Sequence, residues 1–228
     1  MATQALSVLY EDNHLLVVNK PAGVLTQGDQ TGDEPLVEQG KAYIKKKYNK
    51  PGAVFLGVVH RLDRPTSGVI VLARTSKALA RLNEQFKQRT VTKKYWALVG
   101  KDFNPPSNTL THWLVRNAAK NKSTAYQKEM PLSKKGVLHF TVKQELEHYL
   151  LLEIELETGR HHQIRAQFSA LGFPLLGDLK YGAKRSAPHG AIGLHARLLA
   201  LNHPVTQERM VFEAPPAKQG IWKAVLCD

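Results

Sequence analysis

The stretch GVLHFTVKQELEHYLLLEIELETG, residues 136–159, points the chain towards antiparallel strand pairing. It reads as two long strands joined by a tight turn near Glu147 and His148. The β-rich pattern around it runs from about residue 108 to 157.

Helical signals flank this region. GDEPLVEQGKAYIKKKYNKPG, residues 32–52, reads as a helix with Asp33 as cap, Pro35 in its first turn and lysines loading its C-terminal end. SKALARLNEQFKQR follows at 76–89, with Ser76 as N-cap and Leu79, Leu82 and Phe86 as its apolar stripe. VTKKYWALVG is a strand, and HLLVVNKPAGV is a strand stopped by Pro21 and Gly23. HHQIRAQFSALG, residues 161–172, is a short helix that Gly172 ends, and LLGDLKYG to MVFEAPP alternates loops and short strands. The fold class is α+β: a mixed, mostly antiparallel sheet with packed helices. No repeat or interdomain linker breaks the chain, so residues 1–228 read as one domain, with NPPSN at 104–108 as a surface turn or hinge.

Hydrophobic residues make up 43% of the chain, enough for a substantial core, yet no run of about 18 apolar residues marks a membrane span. The N-terminus, MATQALSVLYEDNHLL, lacks the basic-then-apolar layout of a signal peptide. The single cysteine, Cys227, excludes a disulfide framework and fits a reducing cytoplasm. The net charge is +13, which favours a polyanionic partner, nucleic acid ahead of membrane.

In GVVHRLDRPTSGVIVLART, residues 57–75, the apolar residues Val58, Val59, Val69, Ile70, Val71 and Leu72 read as buried strands around a polar interruption. That interruption places Asp63 in a loop at the edge of a rigid sheet, with Arg61 and Arg64 able to position an anion. A hairpin turn decorated with charges fits the same pattern. In ETGRHHQIRAQ, residues 157–167, Ile164, Phe168 and Leu171 form a buried helix stripe. His161 and Arg165 share a face, and Arg165 at the stripe's margin needs an acidic partner or a hydrogen-bonded niche. Arg160 stands at the helix start, where a cation opposes the macrodipole. An ordinary solvated helix face is the competing reading.

Taken together, these segments resemble the signature blocks of the RluA family of RNA pseudouridine synthases. HRLDRPTSGVIVLAR resembles the family's HRLDxxTSG block, with Asp63 at the catalytic aspartate position. GRHHQIRAQ resembles the block whose arginine, here Arg165, pairs with that aspartate. NKPAGV, KKYWALV, LHARLLALNHP and FEAPPA resemble further blocks in order, with Tyr95 at the position of the active-site tyrosine. The blocks begin too close to Met1 for the small S4-type domain that many relatives carry in front. RNA contacts are therefore expected from the catalytic domain itself.

The resemblance implies cleavage of the bond between C1′ of the ribose and N1 of uracil. The base then rotates and rejoins through C5. Asp63 either attacks C1′ or removes the C2′ proton. Arg165 orients it, Tyr95 packs on the uracil, and Ile164 lines the apolar pocket. Arg61 fills the gap left by the flipped base, and Arg64, Arg160 and His161 contact substrate or RNA. No cofactor is implied, and no G-x-G-x-x-G or G-x-x-x-x-G-K-[ST] motif is present. His60, His161, His162, His195 and His203 lack zinc-site spacing, and adjacent His161 and His162 point to different helix faces, so no metal is expected. Glu153, Glu155 and Glu157 alternate on a solvated strand face. The implied partner is ribosomal or transfer RNA, met in the cytoplasm by a monomer. A catalytically idle RNA-binding protein on the same fold is the rival, opposed by intact Asp63, Tyr95 and Arg165.

Overall fold

The computed structural model describes residues 6–218 and 220–226, without the side chains of His189 and Leu226. Met1 to Ala5 and Cys227 lie outside the described residues. In chain order the first elements are β1 (Val8–Glu11), β2 (Leu15–Lys20), α1 (Leu36–Lys47), β3 (Gly57–Val58), β4 (Ser67–Ala73) and α2 (Ser76–Gln88). Then come β5 (Thr92–Gly100), β6 (Ser107–Asn117), β7 (Lys122–Tyr126), β8 (Lys134–Glu145), β9 (Tyr149–Leu156) and α3 (Gln163–Ala170). The last strands are β10 (Leu194–Asn202) and β11 (Arg209–Glu213). The chain forms two compact units. One runs through Thr92 and adds Ala196–Pro216; the other is Lys93–His195 with the chain from Ala217. NPPSN lies inside the second unit, not at the boundary.

In the first unit the strands lie in the order β1-β2-β4-β10, with β11 on β10 and β3 on the end of β4. Leu15, Leu16, Val17 and Val18 of β2 are fully buried, and Val69 to Leu72 of β4 nearly so. Unbroken apolar runs of this kind need cover on both sheet faces. Helix α1 supplies part of it, approaching so closely that a Cβ on Gly40 would sit 2.6 Å from Leu56 and 3.4 Å from Leu16. Val58 and Val59 are only half-buried, a correction to their reading as buried strand, because β3 has just two residues.

The helix caps differ from expectation. The N-cap of α1 is Pro35 and has no side-chain bond, because the Asp33 carboxylate lies too far upstream and pairs with Arg64 at 2.6 Å. The N-cap of α2 is Thr75, one residue before Ser76, and its Oγ1 accepts the Ala78 N–H at 3.1 Å. Of the α2 stripe only Leu82 is fully buried; Leu79 and Phe86 are half-buried.

The second unit is an antiparallel sheet in the order β5-β9-β8-β6-β7. Burial alternates along β6 and β8, so one face carries Leu110, Leu138 and Phe140 into the core. The turn at Glu147 and His148 closes as expected, with Leu146 N–H donating to Tyr149 O at 2.8 Å. Helix α3 covers this face through Ile164 and Phe168. Phe103, Phe140 and Phe168 meet at ring separations of 5.3 to 5.7 Å. The region after residue 174 holds a nine-residue strand, β10, rather than short strands alone.

Candidate active site

The Asp63 loop, residues 59–66, returns alongside β4. β3 pairs Val58 with Leu72, and one step further the Val71 N–H donates to Nε2 of His60 at 3.1 Å. A side chain thus takes over from a strand. The His60 ring stacks on Phe86 of α2 at 4.9 Å. Leu62 is buried, and its N–H and carbonyl both bond Oγ1 of buried Thr26, at 3.2 and 3.0 Å. Beyond it the Thr66 N–H donates to the Asp63 carbonyl at 3.0 Å, closing a turn that Pro65 stiffens. Asp63 is half-buried between these anchors, and Arg61 is exposed.

Two residues from the N-terminal turn complete the mount. Gly23 N–H donates to the Arg64 carbonyl at 2.8 Å, and Arg64 Nε donates to the Gly23 carbonyl at 3.0 Å. Lys20 is fully buried, with its Nζ on the carbonyls of Pro21 (3.0 Å), Val24 (2.7 Å) and Arg64 (3.3 Å). Burial pushes its pKa down to about 7, against the upward pull of the Asp63 carboxylate. Sequence reasoning took NKPAGV for a strand end and missed this lysine. A lysine two residues after a buried apolar run was the available signal.

In the second unit Tyr95 is half-buried on β5, opposite Ile154 and packed against the core. Helix α3 is buried on more than one side. Ile164 and Arg165 are each 4% exposed, while Gln163 and Gln167 are equally enclosed. Gln163 Oε1 accepts from Thr158 Oγ1 at 2.7 Å and from Arg160 N–H at 3.0 Å. Gln167 Nε2 donates to the Leu110 carbonyl at 3.1 Å. The solvated-face reading of this helix is therefore corrected.

His161 does not share a helical face with Arg165. His162 adopts φ 54°, which breaks the helical path, and α3 starts after it. This kink also stacks the two histidine rings at 3.8 Å, instead of sending them to different faces. His161 bonds Ser123 Oγ at 2.8 Å and Asn121 Oδ1 at 3.1 Å. Arg160 precedes the helix and donates from Nε to the Lys135 carbonyl at 3.1 Å.

The acidic partner that Arg165 needs within its own unit is Asp178, with Nε on Oδ2 at 2.7 Å and Nη2 on Oδ1 at 2.9 Å. The Arg165 guanidinium lies 4.9 Å from the centre of the Tyr181 ring. Asp178 and Tyr181 both come from GDLKYG, which sequence reasoning left as loop. An aspartate and a tyrosine bracketed by two glycines were the signal there. Glu153 and Glu155 lie where a solvated strand face was expected, Glu153 held by Lys94 at 3.0 Å.

The comparisons with known proteins agree with this fold. The family model for RNA pseudouridylate synthase matches residues 14–170. An uncharacterized RNA pseudouridine synthase of Bacillus subtilis, YlyB, is 36% identical over 92% of this chain and 69% of its own length. The ribosomal large subunit pseudouridine synthase D of Vibrio vulnificus is 34% identical over 92% of this chain and 67% of its own. Among solved structures, human RNA pseudouridylate synthase domain containing 1 superposes with a TM-score of 0.72 at 28% identity, covering 92% of this chain and 83% of that one. The α+β fold with its mostly antiparallel strands is that of pseudouridine synthases. The chain belongs to the RNA pseudouridylate synthase family, in its RluA-type branch. It is an RNA-modifying isomerase that converts uridine to pseudouridine.

Proposed function

We propose that the chain isomerises uridine in ribosomal RNA, with Asp63 as its catalytic carboxylate. Support for ribosomal RNA comes from the name of the Vibrio relative; transfer RNA was the other substrate the sequence left open. We read the two units as one catalytic domain over 1–228, because the family match at 14–170 runs through the boundary after Thr92. No described helix is long and apolar enough to cross a membrane, and we assign the protein to the cytoplasm as a monomer.

The observation that carries the assignment of Asp63 is its mounting. The loop is fixed on both sides of the aspartate by Thr26, Lys20, Gly23 and the Thr66 turn. A carboxylate that attacks C1′ or takes the C2′ proton must stay ionised and in register with the sugar, so a rigid loop serves either role. Arg165 supplies the counter-charge. Asp178 holds it through Nε and Nη2, and a guanidinium carries five donor hydrogens in all, enough for more than one carboxylate. Tyr95 stacks on the flipped uracil beside Ile164. Exposed Arg61 enters the RNA stack where the base has left. Arg64, Arg160 and His161 contact RNA from the rims of their loops, and Arg64 also clamps the Asp63 loop. The reaction moves no electrons to an acceptor and needs no cofactor.

Asp63→Asn tests this reading. The side chain keeps its size and loses its charge, while RNA affinity rests mainly on phosphate contacts and stacking. The variant is expected to release no tritium from RNA carrying 5-tritiated uridine. Its RNA affinity should stay within about tenfold, or roughly 1.4 kcal/mol. A folded variant that releases tritium at the wild-type rate removes Asp63 from the chemistry.

A further inference from the structure

We infer that Asp178 is a positioning residue for the isomerisation, acting through Arg165 rather than on RNA. The inference rests on the assignment of Arg165 to Asp63 above. Asp178 is 1% exposed and meets Arg165 side-on through two parallel bonds of 2.7 and 2.9 Å. Such a fork fixes the plane of the guanidinium as well as its place. Tyr181 covers a face of that plane at 4.9 Å and is itself pinned. Its hydroxyl accepts the Ser123 N–H at 2.9 Å, donates to the Ser123 carbonyl at 3.1 Å, and lies 2.9 Å from His162 Nδ1.

The backbone is shaped to deliver this pair. Gly177 has φ 78°, and a Cβ there would fall 2.7 Å from Ala187 Cβ and 2.9 Å from the Ala191 carbonyl. Only glycine lets the chain pass at that point and turn Asp178 inward. Stability alone is a poor reason for the pair, since buried ion pairs are often replaceable by apolar side chains without loss. Orientation is what the fork adds. With Nε and Nη2 held by Asp178, the guanidinium cannot spin about its stem, and its other donors keep one heading.

The test uses the full chain with 5-tritiated total RNA from cells lacking the gene, at saturating enzyme in single turnover. In Asp178→Asn the amide N–H₂ opposes Nη2, so at least one arm of the fork is lost. Tritium release is expected to slow at least tenfold while RNA affinity in filter binding changes less than about threefold. Because Asp178 acts through Arg165, the double variant Asp178→Asn with Arg165→Met should be no slower than Arg165→Met alone, whereas a merely structural role gives additive losses. A folded Asp178→Asn at the wild-type rate, or additive losses in the double variant, overturns the inference. If Arg165→Met itself runs at the wild-type rate, the underlying reading of Arg165 fails instead, and this outcome is separate from a normal Asp178→Asn beside a crippled Arg165→Met. Should Asp178→Asn not fold, Asp178→Glu keeps the charge and displaces the fork. It is expected to slow release at least tenfold with affinity retained, and a wild-type rate there overturns the inference.

Discussion

At the scale of single residues a costly group is Lys20, a fully buried amine whose Nζ meets the Arg64 carbonyl of the Asp63 loop. The unfolded side chain holds its proton to about pH 10.4, while burial lowers the folded pKa to about 7. Between those values the unfolded chain binds more protons, so folding gains from rising pH. The stability of the wild type relative to Lys20→Met should therefore climb between pH 7 and 9, by about 1 kcal/mol per pH unit, and stay flat below pH 7. Urea unfolding of both proteins at pH 6, 7.5 and 9 checks this; a flat difference would mean that Lys20 keeps its full charge in the fold. The loop that carries Asp63 was legible because its charged block interrupts two apolar runs. Lys20 and Asp178 were not, because each is one polar residue whose partners are backbone carbonyls or a distant arginine. Composition carries no trace of such pairings.

At the scale of elements, β4 begins at a close approach to β10. Gly68 has φ 119°, and a Cβ there would overlap the backbone of Ala196 on β10. Gly68→Ala is expected to lose about 1–3 kcal/mol through forced overpacking. Gly52→Ala, at a site with nothing within 4 Å, should stay within about 0.5 kcal/mol of wild type. Thermal melts of the two variants make the comparison, and equal losses would contradict the close approach of β10 to β4. Strands β8 and β9 could be read from sequence because burial alternates along β8, whereas β6 and β7 were legible only as part of a β-rich stretch. Helix α3 was harder: glutamines at 163 and 167 look solvated, yet they are buried because strand carbonyls and Thr158 take their amides. Cap positions slipped by one or two residues because Asp33 and Ser76 are good capping types standing next to the residues that take the place.

At the scale of the whole molecule the +13 charge sets how RNA is met. Binding should weaken steeply with salt, with a log–log slope of roughly −0.7 for each phosphate neutralised on a single strand; a nearly flat plot from low to physiological salt would mean the charge is not used for RNA. Arg61→Ala should slow turnover on structured RNA more than on a flexible strand, which hardly needs a filler for the vacated stack, and equal losses would reduce Arg61 to a phosphate contact. The chain order of the first unit has a consequence for how the protein is made. β10 lies beside β4, yet the second unit through His195 is synthesised between them. A nascent chain can pair β2 with β4 early, but the edge that awaits Ala196–Asn202 stays open until residues 93–195 have been synthesised. An open edge on so apolar a strand is a template for wrong partners. The first unit is thus begun before the second and still incomplete when His195 has been added, and its vulnerable interval lasts as long as translation of residues 93–195.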